Sequence, residues 1–148
     1  LIAAYKKYST LSTHPYELLI IGTTPQFTPA LDGVSILGSL EHSSVLAHMK
    51  KSKILLSSSE WEGFPNIFGE AIFSGCSICS TPFPAAVDIT CGGSLGSVST
   101  SFNAMSLAQA LYTEQLLWDN GTRSASYIVQ LGQIILQSNY EVRLNNYA

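Results

Sequence analysis

Short apolar runs alternate with helical segments along most of this chain of 148 residues. Five runs resemble strands buried on both faces: residues 16–22, 34–38, 53–57, 77–81 and 95–99. Apolar residues at helical spacing predict helices at residues 1–13, 42–52, 66–74, 104–120 and 122–137, a helical turn at 84–90, and a polar tail to Ala148. This alternation predicts an α/β domain in which a parallel sheet is covered by helices on both faces.

The loops at the carboxyl ends of the strands are the predicted ligand-binding rim, because ligands of parallel sheets bind beyond those ends. The rim comprises residues 22–24, 38–40, 58–64 and 81–85. It includes Gly22 after the first strand and Gly38, Ser39 and Leu40 after the second. We therefore expect the ligand-binding residues in these loops.

Composition limits the class of protein. A net charge of −3 with 11% charged residues argues against a nucleic-acid partner, which usually requires a basic patch. Lysines cluster at Lys6 with Lys7, and at Lys50 with Lys51 and Lys53, and are interpreted as solvated helix ends rather than phosphate sites. No apolar run approaches the roughly 20 residues of a membrane-spanning helix, and no signal peptide is recognised.

Cys76 and Cys79 form a C-x-x-C pair, which is typical of redox or metal chemistry. We interpret them instead as apolar core residues, because they end a helix and enter a strand with no second Cys or His pair nearby. With Cys91 they are predicted to be free thiols, which fits a reduced, cytoplasmic setting.

Three carboxylates, Glu60, Glu62 and Glu70, surround an aromatic-glycine-proline turn in a chain otherwise poor in charge. Gly63 allows close backbone approach, and Pro65 suits the first position of a helix.

The free N–H groups of Asn66 and Ile67 would then form an anion site suited to a diphosphate. Ile67, Ala71 and Gly75 are the predicted packing face, with Glu70 beside it, where a carboxylate can accept two hydrogen bonds from a vicinal diol such as a ribose. The alternative is that all three acids are solvated and only favour the helix start.

The segment EGFPNIFGEAIFSGCSI resembles the nucleotide-sugar-binding motif of the retaining GT-B glycosyltransferases of family 4, the glycosyl transferases group 1. That motif has Glu-Gly-Phe, then Gly or Pro, a second Glu eight positions after the first, and a Gly at the helix end. The matching residues are Glu62, Gly63, Phe64, Pro65, Glu70, Ala71 and Gly75. The likeness covers about residues 1–135, of which 57–81 carry the motif, and Asp88 matches an acid after it.

The resemblance implies a Rossmann-like three-layer sandwich that is one half of a GT-B fold. Residues 1–148 would be the C-terminal donor-binding domain, a fragment whose N-terminal acceptor domain is absent and which is inactive when isolated. The intact protein would transfer a sugar from a nucleoside diphosphate sugar to an acceptor hydroxyl with retention and without a metal or other cofactor. Its partners would be the donor and an acceptor sugar or lipid-linked glycan. We expect it in the cytoplasm, with peripheral contact at the inner membrane face left open.

The same resemblance assigns roles to residues. Glu62 would be catalytic, orienting the donor sugar, and Glu70 would hold the ribose hydroxyls. The other expected donor-binding residues are Gly63, Phe64, Pro65, Asn66, Ile67, Gly22, Gly38, Ser39 and Leu40. Tyr16, Trp61 and Trp118 are interpreted as packing residues rather than sugar platforms.

The chain departs from the family pattern in several places. Ser58 with Ser59 replaces Pro-Ser, Ser77 replaces a Pro, and Thr24 stands where a Gly is frequent. The family's diphosphate-binding Arg and Lys, on a strand and turn before the first helix, are not in this sequence. Two other functions stay open: a non-hydrolysing sugar epimerase of the same architecture, and a nucleotide-binding module without catalysis.

Overall fold

A computed structural model describes residues 1–22, 31–63 and 65–146, with side chains as far as Leu136. The described helices are α1 (Ile2–Leu11), α2 (His42–Met49), α3 (Asn66–Ser74), α4 (Pro84–Thr90), α5 (Ala104–Asp119) and α6 (Ala125–Asn146). The strands are β1 (Leu18–Ile21), β2 (Val34–Gly38), β3 (Ile54–Ser57), β4 (Ser77–Ser80) and β5 (Gly96–Val98). Every predicted element is present, and α6 continues well beyond the predicted end at residue 137, through what was expected to be a polar tail.

All paired strands are parallel, as predicted, but they form two sheets instead of one. β1 pairs with β2, and β3, β4 and β5 form a second sheet in that order. Within the described ranges, no ladder joins β1 to β3. Side chains connect the two sheets instead: Lys53 Nζ, just before β3, donates to the hydroxyl of Tyr16, just before β1, at 2.7 Å.

Two apolar clusters cover opposite faces of the three-stranded sheet. One packs α3, α4 and α6 against it and contains Cys76 and Ile78. The other packs α1 and α5 and contains Cys79. Successive strand residues point to opposite faces, so β4 is buried along its whole length between two helical layers. The α/β class and the layered Rossmann-like arrangement are therefore confirmed.

The same alternation places the two cysteines of the C-x-x-C pair in different apolar clusters. Cys76 lies in one cluster and Cys79 in the other, both fully buried, whereas Cys91 is exposed. The Cys76 thiol donates to the carbonyl oxygens of Met49 and Ser52. The interpretation of Cys76 and Cys79 as core residues is confirmed.

The first helix is joined to the remainder of the fold by two tyrosines. The hydroxyl of Tyr5 donates to the carbonyl oxygens of Tyr16, just before β1, and Gly33, just before β2. Tyr8 donates to Gln115 Oε1 on α5 at 2.6 Å and accepts from the Tyr16 N–H. These bonds fix where β1 begins, and so where its carboxyl end reaches the rim.

Candidate functional site

The acidic turn leaves the carboxyl end of β3 and is tied to the end of β4. The Thr81 hydroxyl donates to the carbonyl of Ser59, and the Ser59 hydroxyl donates to Glu62 Oε1. Both bonds come from small hydroxyl side chains at strand ends. They hold the half-buried Glu62 in one orientation at the rim.

Helix α3 spans the predicted range, 66–74, but Pro65 precedes it instead of being its first helical residue. Pro65 is its N-cap, with φ −74° and ψ 101°, and Asn66 is its first helical residue. Helix geometry gives the N–H groups of Asn66 and Ile67 no carbonyl within α3 to bond. The helix ends as expected at Gly75, which adopts the left-handed conformation at φ 93° and packs against Ala125 of α6.

Of the predicted packing face of α3, Ala71 and Gly75 are buried as expected, but Ile67 is not. Ile67 is 43% exposed, whereas Phe68, Ala71 and Ile72 are completely buried. Phe68 packs against Phe83 with ring centroids 5.9 Å apart. Turning α3 in this way directs the face of Asn66 and Glu70 away from the core.

That outward face lines a cavity of about 960 Å³. Asn66, Gly69, Glu70 and Phe73 follow one another at helical spacing along its wall, and Glu62 with Gly63 lies at the start of the helix. Leu46 of α2, Leu136 of α6 and four residues of α4, Pro84, Ala85, Asp88 and Ile89, complete most of the lining. The cavity therefore brings both motif glutamates to one wall.

Charge in this cavity is all of one sign. Glu62, Glu70 and Asp88 contribute carboxylates, and the described lining includes no Lys or Arg. His42 on α2 approaches Glu70, with its Nε2 3.8 Å from Glu70 Oε1. A diphosphate in this cavity would rely on helix N–H groups and on cations supplied from elsewhere.

Other expected donor-binding residues lie outside the cavity wall. The N–H of Gly22 donates to the carbonyl of Gly38 at 2.7 Å, so the ends of β1 and β2 meet. Both glycines have positive φ, which favours glycine over residues with a Cβ. Ser39 and Leu40 follow in the loop to α2, Pro65 is buried, and Phe64 lies outside the described residues.

Trp61 lies where it was not expected, and the approach of His42 to the site was not predicted. Trp61 is 78% exposed and lines the cavity, so its interpretation as a packing residue was wrong. Trp118 does pack in the core, donating from Nε1 to Ser77 Oγ at 2.9 Å. His42 was not predicted, because nothing in the spacing of α2 indicates a contact with α3.

The comparison with known families decides the classification. The sequence profile described as glycosyl transferases group 1 matches residues 1–114, which is most of the chain and includes the acidic turn. The chain belongs to this family. As a member of glycosyl transferases group 1, it is a transferase domain, and the family implies a sugar donor and an acceptor as its partners.

The matched region of this glycosyl transferase domain ends within α5, so α6 lies beyond it. A search of curated proteins found no match. In the part of the domain that the structure describes, none of the helices combines the length and apolar character needed to cross a bilayer.

Proposed function

We propose that this domain binds a nucleoside diphosphate sugar and that the intact protein transfers the sugar to an acceptor hydroxyl with retention, without a metal. The observation that supports this most is the placement of Glu62 and Glu70 on one cavity wall beside the start of α3. In this proposal the domain is the donor-binding half of a GT-B protein. The acceptor sugar or lipid-linked glycan is held by an N-terminal domain, in the cytoplasm or at the inner membrane face.

Glu70 holds the donor ribose in this proposal. Its carboxylate faces the cavity, its side chain is 35% exposed, and an ionised carboxylate accepts hydrogen bonds at about four lone-pair positions. Two neighbouring hydroxyls can therefore donate to it together. Because this interaction is equal in the ground and transition states, Glu70 contributes mainly to affinity.

Glu62 orients the sugar, and the start of α3 accommodates the diphosphate. Asn66 lies on the cavity wall one turn before Glu70, and its N–H and that of Ile67 have no carbonyl within α3 to bond. The leaving diphosphate gains charge as the glycosidic bond breaks, and the described wall has no Lys or Arg to stabilise it. We therefore propose that the isolated chain transfers no sugar.

Calorimetric titration of the intact protein with uridine, adenosine and guanosine diphosphates tests the proposal. Glu70→Ala should weaken binding of the most tightly bound of these nucleotides by roughly tenfold, because the ribose hydroxyls lose their acceptor. Glu60→Ala is the matched control, an exposed acid of the same turn that does not line the cavity. Equal affinities in wild type and Glu70→Ala would contradict the role of Glu70.

Product analysis of the same intact protein separates the three functions. A glycosylated acceptor with retained configuration supports the transferase. An epimerised sugar with no acceptor consumed indicates an epimerase, and diphosphate binding without turnover indicates a module without catalysis. The last two outcomes would contradict the proposal.

A further inference from the structure

His42 and Glu70 meet across two helices that the sequence separates. His42 is the first residue of α2, directly after the β2–α2 loop that contains Ser39 and Leu40. Glu70 lies in the second turn of α3, and its Oε1 is 3.8 Å from His42 Nε2. Leu46, one turn after His42, lines the same cavity as Glu70. His42 thus approaches the cavity carboxylate from the side on which β2 ends.

The His42 and Glu70 side chains approach each other without a direct hydrogen bond. Hydrogen bonds of this kind are about 2.7–3.2 Å long, so 3.8 Å is a contact between side chains that are not directly bonded. Among the described residues, no side chain donates a hydrogen bond to Glu70. His42 is 67% exposed, and Glu70 keeps its acceptor positions open to the cavity.

A sugar hydroxyl placed beside this pair, on its cavity side, can contact the donor and the acceptor together. A hydroxyl that donates its proton to a carboxylate still has lone pairs that can accept an N–H. The imidazole of His42 supplies that N–H at Nε2 when it is protonated or in the corresponding neutral tautomer. One hydroxyl can then donate to Glu70 and accept from His42, whereas a deoxy carbon can do neither.

We propose that His42 is a ribose-contacting residue that, together with Glu70, selects ribonucleotide over deoxyribonucleotide donors. This rests on the proposed donor site at Glu70. A purely structural contact would act differently, because an exposed pair at this distance contributes little to stability and would not respond to a single hydroxyl of the ligand.

The test compares ribo- and deoxyribonucleotides in titrations of the intact protein. The probe is whichever of uridine, adenosine or guanosine diphosphate binds the wild type most tightly, together with its 2′-deoxy and 3′-deoxy analogues. We expect the wild type to prefer the ribonucleotide by roughly tenfold over at least one analogue. His42→Ala should reduce that ratio severalfold by weakening ribonucleotide binding, with little change for the analogue.

Two further variants make the result specific. His42→Gln keeps an N–H donor and should restore part of the ratio. His48→Ala, at the other end of α2, should leave the ratio unchanged, and melting curves check that each variant is folded. If His42→Ala weakens the binding of all three ligands equally, or of none, the inference about His42 is overturned. The proposed donor site at Glu70 is not contradicted by that result. If the wild type binds no diphosphate, both proposals are overturned.

Discussion

Arg123 Nε lies 2.9 Å from Glu114 Oε1, and the two side chains are only 4% and 0% exposed. The same guanidinium donates to the carbonyls of Gly93 and Ser94, and Ser97 donates to the second oxygen of Glu114 at 2.5 Å. This buried pair therefore connects α5, the segment after it, the turn before β5 and β5 itself. Every oxygen of the buried carboxylate has a partner.

Removing the arginine should destabilise the domain strongly. Arg123→Met leaves Glu114 buried without its ion-pair partner, and we expect a loss of about 3–5 kcal/mol in the free energy of unfolding, measured by urea denaturation. Thr122→Ala, at the exposed neighbouring position, is the control. Arg123→Met combined with Glu114→Gln should recover part of the loss. A single variant as stable as the wild type would show that the pair is not needed for folding.

Glu62 should affect turnover more than affinity. We expect Glu62→Ala in the intact protein to lower kcat by roughly 100-fold, because the donor sugar loses its orientation, while the affinity for the bare nucleoside diphosphate stays near that of the wild type.

Ser59→Ala should lower kcat severalfold in the same direction, because it removes the hydroxyl that holds Glu62. Its control is Ser58→Ala, at the exposed neighbouring serine. Steady-state kinetics and titration measure both effects. A loss of diphosphate affinity in Glu62→Ala with normal affinity in Glu70→Ala would reverse the two assigned roles.

Asp119 should contribute to the loss of stability in acid. The hydrogen bond from the Tyr16 hydroxyl is the main cause that lowers the pKa of Asp119, with help from Gln115 and Lys53. Because its pKa is lower in the folded state, its stabilisation is fully present above the unfolded value of about 3.9 and is lost as the pH falls through the folded pKa.

Asp119→Asn should therefore make the free energy of unfolding fall less steeply, as the pH drops below about 4, than in the wild type. Tyr16→Phe removes the hydroxyl donor and should have a similar, smaller effect. Chemical denaturation at a series of pH values measures the slope. An unchanged slope in both variants would exclude this linkage.

The three thiols should react at very different rates. Burial raises the pKa of Cys76 to about 11, and burial followed by the charge of Glu114 also raises the pKa of Cys79. A thiolate is the reactive form, so only the exposed Cys91 should be alkylated quickly by iodoacetamide near pH 8. Mass spectrometry should find one modification in the native domain and three after denaturation. Rapid native modification of Cys79 would contradict its burial.

The local features of this domain were well predicted from sequence. Apolar runs bounded by turn residues indicated the five strands, and the motif resemblance singled out Glu62 and Glu70, which both line the cavity. The face of α3 was misjudged because Ile67 and Phe68 are adjacent and both apolar, so periodicity alone does not say which packs inward.

Contacts between distant elements were not predictable in this way. The pairing of Arg123 with Glu114, the approach of His42 to Glu70 and the separation of β1 from β3 all depend on how elements pack. Residues far apart in sequence give no periodic signal of such contacts. The exposure of Trp61 was missed for a related reason, since an aromatic residue in a turn is equally compatible with packing and with lining a cavity.

The separation between β1 and β3 also affects how the domain behaves in solution. Each of these strands has a second edge to which no strand pairs within the described ranges, and such edges present backbone N–H and C=O groups to other chains. A charged residue precedes each strand, Glu17 before β1 and Lys53 before β3, and both are exposed. Charges at strand edges discourage intermolecular pairing, so we expect Glu17 and Lys53 to reduce self-association through these edges. The expected contribution of the two charges is to solubility rather than to catalysis or core packing.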